Sequence, residues 1–394
     1  MLFSIAYILL LGYLVGVLFE KLKLPKLIGM ILLGIISGPY GLDLIDISII
    51  QISAEIRQIA LIIILTRAGL SLDFNSLKKI GRPAFLMCFL PATLEIIGTT
   101  LFAPSLLNIS TFEALLLGSV LAAVSPAVVV PRMIRLQKEG YGSKHKIPEL
   151  LLAGSSADDI YVIVLFYTFL GLVENNSFSG SALINIPISI ALGILLGVIV
   201  GFILNMVFKR FNLKLTIKIL ITLSISFMMV AFETFVKEYV SISSLLGVMT
   251  FGMVILFKNK IVAKELEEGY NHLWLFFEIF LFVLVGATVN MQYAISAGLN
   301  TILLLIIALM FRTFGVLLSL IKTPLTFKER LFCVIAYIPK ATVQASIGGI
   351  ALSLGLASGN IILSVAVISI LFTAPIGAIG IDLLHKKLLK VDFD

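Results

Sequence analysis

The chain has 394 residues, of which 60% are hydrophobic and only 13% charged, with a mean hydropathy of +1.14 and a formal net charge of +7. Soluble domains carry about a quarter charged residues, so this composition excludes one and points to a polytopic helical membrane protein. The positive balance lies in short loops between apolar runs rather than in a basic domain, which excludes a nucleic-acid partner.

Windows of about 20 residues predict about thirteen spans along the chain, near 3–19, 27–43, 54–71, 84–104, 112–134, 147–172 and 181–208, then 215–237, 240–257, 272–290, 296–320, 329–355 and 358–385. The first run lacks a basic lead and a small-residue cleavage pattern, and reads as a retained span. Every second loop is basic. Lys21, Lys23 and Lys26 follow the first span, Lys78, Lys79 and Arg82 the third, and Arg132, Arg135, Lys138, Lys144 and Lys146 the fifth. The pattern continues through Lys209 and Arg210, Lys258 and Lys260, Lys322 and Lys328, to Lys386 and Lys387. The intervening loops carry Asp43 and Asp46, Asn108, or Glu174-Asn175-Asn176. The positive-inside rule then predicts an outside N-terminus and a cytoplasmic C-terminus.

Gly193, Gly197 and Gly201 recur every fourth residue in span seven, Gly12 and Gly16 in span one, and Gly34 and Gly38 in span two. Such spacing predicts close helix packing, or a share in a subunit contact. Cys88 and Cys333 fall inside apolar runs and read as packing residues, with neither a disulfide nor a metal site expected.

Spans four to six and eleven to thirteen share a pattern. Glu95 lies mid-span in the first set, and the next span is interrupted at Val124-Ser125-Pro126-Ala127; Arg312 lies mid-span in the second, and the next is interrupted at Tyr337-Ile338-Pro339-Lys340-Ala341-Thr342. Proline removes a backbone donor and disfavours helix before it. In lipid such breaks persist only inside protein or along a wet cavity. Span five runs inward and span twelve outward, so the predicted fold is all-α with two inverted repeats and broken helices in spans five and twelve. Paired broken helices in inverted halves point to a transporter site.

Depth supports that reading. At about 1.5 Å per helical residue, Asp158, Glu95, Lys340 and Arg312 all lie roughly 15–18 Å from the inner ends of their spans, and the Ser125-Pro126 break roughly 13 Å. One mid-membrane plane therefore holds three acids, Glu95, Asp158 and Asp159, and two bases, Arg312 and Lys340. Buried charges are tolerated when paired, and the excess carboxylate can bind a proton or a small cation. Na+ or Li+ wants oxygen ligands, which Asp158, Asp159, the hydroxyls of Ser125, Ser155, Ser156 and Thr342, and free carbonyls at the breaks can supply. Asp158 and Asp159 point about 100° apart on a helix, so one is assigned to an ion pair and the other to the cation. Arg312 does not deprotonate and serves as a fixed countercharge; Lys340 has Glu95 as its nearest acid by depth.

With these residues in place, Leu65-Thr66-Arg67-Ala68-Gly69-Leu70-Ser71-Leu72-Asp73, Ser125-Pro126-Ala127-Val128-Val129-Val130-Pro131, Asp158-Asp159 and Ile338-Pro339-Lys340-Ala341-Thr342-Val343-Gln344-Ala345 resemble the NHA-type branch of the cation/proton antiporters. The resemblance covers nearly the whole chain. It implies a homodimer with a dimerisation domain at 1–72 and 213–292, an ion-transporting core at 81–176 and 296–394, and a linker helix at 181–208. It further implies an elevator motion, Asp159 as the leading ligand of the proton and Na+ with Asp158 beside it, and no cofactor. Arg312 stands where many relatives with two Asp residues carry Lys, so the proton count stays open.

The expected function is secondary exchange of Na+ or Li+ for H+ in a bacterial-type inner membrane. K+/H+ exchange and, from the same architecture, sodium-coupled symport of an organic anion are the alternatives. A symporter wants cations left over for its substrate, a channel wants a polar face along several spans, and no nucleophile–base arrangement suggests an enzyme. Arg67 reads as a snorkelling residue or an ion-pair member, Glu278 as interfacial, and Glu233 as wet. His145, His272 and His385 read as solvated, and Trp274 with Tyr270 as an interfacial belt.

Overall fold

A computed structural model describes residues 1–71, 81–174, 180–211, 213–236, 242–290 and 298–391, with the side chains of 156–157, 174 and 180–187 left out. Lys78, Lys79, the Leu72-Asp73 end of the third-span motif, Asn175, Asn176 and the Ser156 side chain lie outside the described residues.

The described residues form helices and no strand. The order begins α1 (Leu2–Lys21), α2 (Lys26–Ser37), α3 (Ile47–Gln51), α4 (Ser53–Ser71), α5 (Arg82–Met87) and α6 (Leu90–Leu107). It continues with α7 (Thr111–Ala122), α8 (Pro126–Lys138), a 3₁₀ turn at Ser143–His145, α9 (Ile147–Glu174), α10 (Gly180–Arg210) and α11 (Leu215–Val236). Then come α12 (Ser244–Lys258), α13 (Lys260–Ala287), α14 (Gly298–Ser319), α15 (Phe327–Ala336), α16 (Thr342–Ile347), α17 (Ile350–Ser353) and α18 (Gly359–Leu388). Among the described residues nine helical stretches are long and apolar enough to cross a membrane, and α2 and α12 are shorter apolar helices.

Both interrupted spans start from the same device. Ser110 and Glu113 form a capping box at α7, in which each residue's side chain accepts from the other's backbone N–H. Thr326 and Glu329 do the same at α15. Such boxes satisfy two of the donors left free at a helix start. Each helix then stops in mid-course, α7 before Ala123-Val124-Ser125 and α15 before Tyr337 to Ala341. Pro126 opens α8 at the position where its missing N–H costs nothing.

The chain packs as two compact units. The first takes in Met1–Ala54, Asp73–Phe169 and Leu281–Asp394; the second takes in Glu55–Leu72 and Leu170–Phe280. Within the first, Gly34, Gly38 and Gly286 interlock α2 with the last turns of α13, since a Cβ on any of them would strike backbone of the opposing helix. Gly98 of α6 lies against the Phe311 ring of α14, and Gly315 of α14 against the backbone of Leu90 and Pro91. Across the broken spans, Arg132 and Arg135 of α8 grip the Asp382 carboxylate of α18 at 3.1 and 2.7 Å.

In the second unit, the glycine stripe of α10 faces α12: Gly193 meets Ser243, Gly197 meets Gly247 and Thr250, and Gly201 meets Val254. Tyr270 donates to Thr222 at 2.9 Å, and Lys218 pairs with Glu265 at 2.7 Å.

Four expectations from the sequence are corrected here. His145 is not merely solvated: its Nδ1 lies 2.8 Å from Glu329 Oε1, a partner distant in sequence that its basic loop gave no sign of. His385 is buried, edge-on to the Tyr141 ring and 3.1 Å from the Ile381 carbonyl one turn back. Trp274 and Tyr270 are buried within the protein rather than arrayed as a belt, because α13 is covered around that face. Glu278 is likewise buried, whereas Glu233, read as wet, is part-exposed and accepts from the Ser244 N–H at 3.0 Å. Arg67 is half-buried and interacts with Glu267 and Glu278, while His272 is exposed.

The glycine stripe makes a stability prediction. Gly197→Leu should lower the thermal unfolding midpoint in detergent by at least about 3 °C, since overpacking costs about 1–3 kcal/mol. Gly298→Ala, where an added Cβ meets nothing within 4 Å, should leave it unmoved. Equal midpoints for the two variants would show that the stripe is not a close-packed seam.

Candidate functional site: two helix breaks around a buried charge cluster

The register of α6 on α14 sets the centre of the first unit. Glu95 lies between Pro91 and Gly98, and Arg312 between Phe311 and Gly315, so the two close glycine contacts bring these side chains opposite each other. Arg312 Nη1 stands 2.8 Å from Glu95 Oε2, and both side chains are at most 2% exposed. Arg312 Nη2 reaches Asp158 Oδ2 of α9 at 3.1 Å. Lys340 Nζ stands 2.6 Å from Glu95 Oε1. Glu95 therefore bridges both cations, one to each oxygen, and Arg312 bridges two acids.

The rest of the guanidinium and ammonium goes to backbone. Arg312 Nε donates to the Tyr337 carbonyl at 2.6 Å, Nη1 also to the Ala122 carbonyl, and the group lies over the Tyr337 ring. Lys340 Nζ donates to the Leu121 carbonyl at 2.5 Å. These carbonyls are the ones released where α7 and α15 stop, and inside a membrane protein they need partners from the chain itself.

The free N–H groups are met the same way. Val124 N–H donates to Asp158 Oδ2 at 2.8 Å, and Ser125 N–H donates across to the Pro339 carbonyl at 2.8 Å. That last bond joins one break directly to the other. On the second break, Lys340 N–H donates to Thr373 Oγ1 of α18 at 3.0 Å and Ala341 N–H to Gln344 Oε1 at 2.8 Å. Val124 and Tyr337 also belong to a dry cluster with Met87, Val129, Met133, Leu151, Phe332 and Ile381.

Some oxygens stay unmatched. Ser125 Oγ, Asp158 Oδ1 and Asp159 Oδ1 are buried and have no hydrogen-bond partner among the described residues. Among the described residues Asp159 forms no ion pair, whereas Glu95 and Asp158 do. Unpartnered buried oxygens carry a cost unless something donates to or coordinates with them. Hard oxygens of this kind suit a small monovalent cation or a proton.

Of the residues singled out in the sequence, Glu95, Asp158, Arg312 and Lys340 come together as one network, with Pro126 and Pro339 at the two breaks. Ser155 is buried, its hydroxyl turned to the Leu152 carbonyl at 3.3 Å. Thr342 is buried at the start of α16, and its carbonyl accepts from Ser346 Oγ at 2.7 Å. Sequence reasoning placed Tyr337 in the second break and Gln344 in the motif after it without giving either a role, and missed Thr373. Only Gln344 had a legible signal: it stands third in the helix after a break, where a Gln caps the free N–H groups.

A family model described as "Sodium/hydrogen exchanger, transmembrane" matches residues 6–387. Sodium/hydrogen exchanger 9B1 of Mus musculus is 35% identical over 99% of this chain and 71% of its own length. Sodium/hydrogen exchanger 9B2 of Homo sapiens is 33% identical over 93% of this chain and 70% of its own. In fold, the chain is similar to the sodium proton antiporter MjNhaP1 from Methanocaldococcus jannaschii, with a TM-score of 0.84 at 22% identity over 98% of this chain and 99% of that one. From its apolar helices through its hydrogen-bonded breaks to these relatives, the chain is an integral membrane protein that belongs to the sodium/hydrogen exchanger family, transporters rather than enzymes.

Proposed function

We propose that the protein exchanges Na+ or Li+ for H+, with the two ions competing for Asp159 beside Asp158. The observation that carries this is the unpartnered Asp159 Oδ1 next to a network in which the other acids hold both bases. Ser125 Oγ and Asp158 Oδ1 are further oxygens for the cation, with Ser155 on the helix of Asp158 and Asp159 and Thr342 at the start of α16, after the second break. Both bases of the cluster, Arg312 and Lys340, are engaged by carboxylates, which disfavours the symport reading.

Arg312 stays charged in every step. It holds Asp158 Oδ2, so Asp158 keeps its partner while Asp159 alternates between a proton and a cation. One carboxylate exchanging one proton for one monovalent cation carries no net charge across. The working arrangement is a homodimer of thirteen-span protomers with an outside N-terminus and a cytoplasmic C-terminus, in an inner membrane. In it 1–72 and 213–292 form the dimer domain, 181–208 links, and 81–176 with 296–394 form a core that moves as an elevator.

Asp159→Asn should abolish cation-driven proton movement in reconstituted vesicles while leaving the protein folded; undiminished exchange would remove Asp159 from this role. The same assay with K+ replacing Na+ decides the cation. Exchange that speeds or slows when the membrane potential is clamped would refute the one-for-one count.

The two bases should differ in what they support. Arg312→Met strands Asp158 and two backbone carbonyls, and should destabilise by on the order of 3–5 kcal/mol. Lys340→Met leaves Glu95 still held by Arg312, and should cost less. Thermal melts in detergent give the ranking, and the reverse order would contradict Arg312 as the fixed countercharge.

A further inference from the structure

One side chain bonds to both breaks without carrying charge. Gln344 is fully buried in α16. Its Nε2 donates to the Ala123 carbonyl at 2.8 Å and stands 3.4 Å from the Leu121 carbonyl, while its Oε1 accepts from Ala341 N–H at 2.8 Å. The amide can point only one way, since a reversed one would set oxygen against two carbonyls. Ala123 is followed at once by Val124, which donates to Asp158, and by Ser125, whose hydroxyl is unpartnered. Gln344 thus fixes the backbone from which both of these groups hang.

We propose that Gln344 is a positioning residue for ion exchange: a neutral strut that holds the first break against the second in every protonation state of the site. The proposal rests on the exchange reading above. Most other links between the breaks and their surroundings depend on charge. Arg312 and Lys340 bind Glu95 and Asp158 and donate to the Ala122, Tyr337 and Leu121 carbonyls, and the field acting on those charges changes when the neighbouring Asp159 takes up a proton or a cation. An amide neither gains nor loses a proton over this cycle. Among the described residues the Ser125 to Pro339 backbone bond shares that property directly between the breaks, and Gln344 adds a second neutral link at a different point.

A carboxyl group distinguishes this role from simple packing. Protonated, Glu at this position has an O–H to donate and a carbonyl to accept, as Gln does; ionised, it only accepts. The full-length protein, reconstituted in vesicles with a pH-sensitive dye inside, is assayed for Na+-driven proton efflux from acid to alkaline pH. Gln344→Met, similar in length but without either bond, should raise the apparent KM for Na+ by about tenfold and leave the shape of the pH profile as in the parent. Gln344→Glu should match the parent at acid pH and fall away from it as pH rises, a limb that the parent lacks. Parental KM in the first variant together with a parental pH profile in the second would overturn the proposal. If Gln344→Met does not fold, the pH profile of Gln344→Glu decides alone.

Deuterium exchange in detergent reads the strut independently of transport. In Gln344→Met the amides of Val124, Ser125 and Ala341 should exchange faster than in the parent, with distant helices unchanged. Unchanged protection there would overturn the strut. Absence of cation-driven proton movement in the parent protein would overturn the exchange reading instead, and the amide comparison would still decide the role of Gln344.

Discussion

Everything in the first unit depends on the cost of bringing charge and free backbone polar groups into a dry interior. A single Arg, Lys or Asp at the centre of a membrane helix costs about 2.5–3.5 kcal/mol on insertion scales and far more in a rigid apolar setting. A stopped helix adds carbonyls and N–H groups with nowhere to go. The two liabilities cancel in part against each other here. Arg312 and Lys340 donate to Leu121, Ala122 and Tyr337 carbonyls, and Asp158 accepts from Val124. Neither the breaks nor the charges would be tolerable alone.

Close helix packing makes that mutual arrangement possible. Glu95 and Arg312 belong to helices far apart in the chain, and their 2.8 Å contact requires α6 and α14 to approach with little between them. Gly98 and Gly315 grant this approach, because side chains there would collide with Phe311 and with the Leu90-Pro91 backbone. The capping boxes at Ser110 and Thr326 act further out. They fix where α7 and α15 begin, and so where in each helix the break falls. Small residues and caps thus position charged groups that they never touch.

Much of this was legible in the sequence, because membrane burial makes charge conspicuous. Glu95, Asp158, Arg312 and Lys340 stood out as charges in apolar runs, and their similar depth named them as companions. Helix order was equally plain from apolar runs, though α2 and α12 are too short to rank with the nine longer stretches. What depth alone could not give was pairing. It did not show Glu95 divided between two cations, nor Arg312 spread over two acids and two carbonyls. The roles of Tyr337 and Thr373 were invisible because they act through a backbone carbonyl and a hydroxyl, groups that many residues offer. His145 looks like a solvated loop residue until the fold joins it to Glu329 at 2.8 Å.

The division of labour within the site follows from these partners. A group that must bind and release an ion cannot also be a permanent support, since each change in its load would loosen whatever it supports. Glu95, Asp158, Arg312 and Lys340 bind one another and the breaks, which ties their geometry to their charge. Asp159 enters no ion pair among the described residues and leaves a buried oxygen unpartnered, so its load can change at the least cost to the rest. Adjacency of the two acids serves that separation. A helix turns about 100° per residue, so a neighbour on the same backbone shares Asp158's firm placement while facing a different direction.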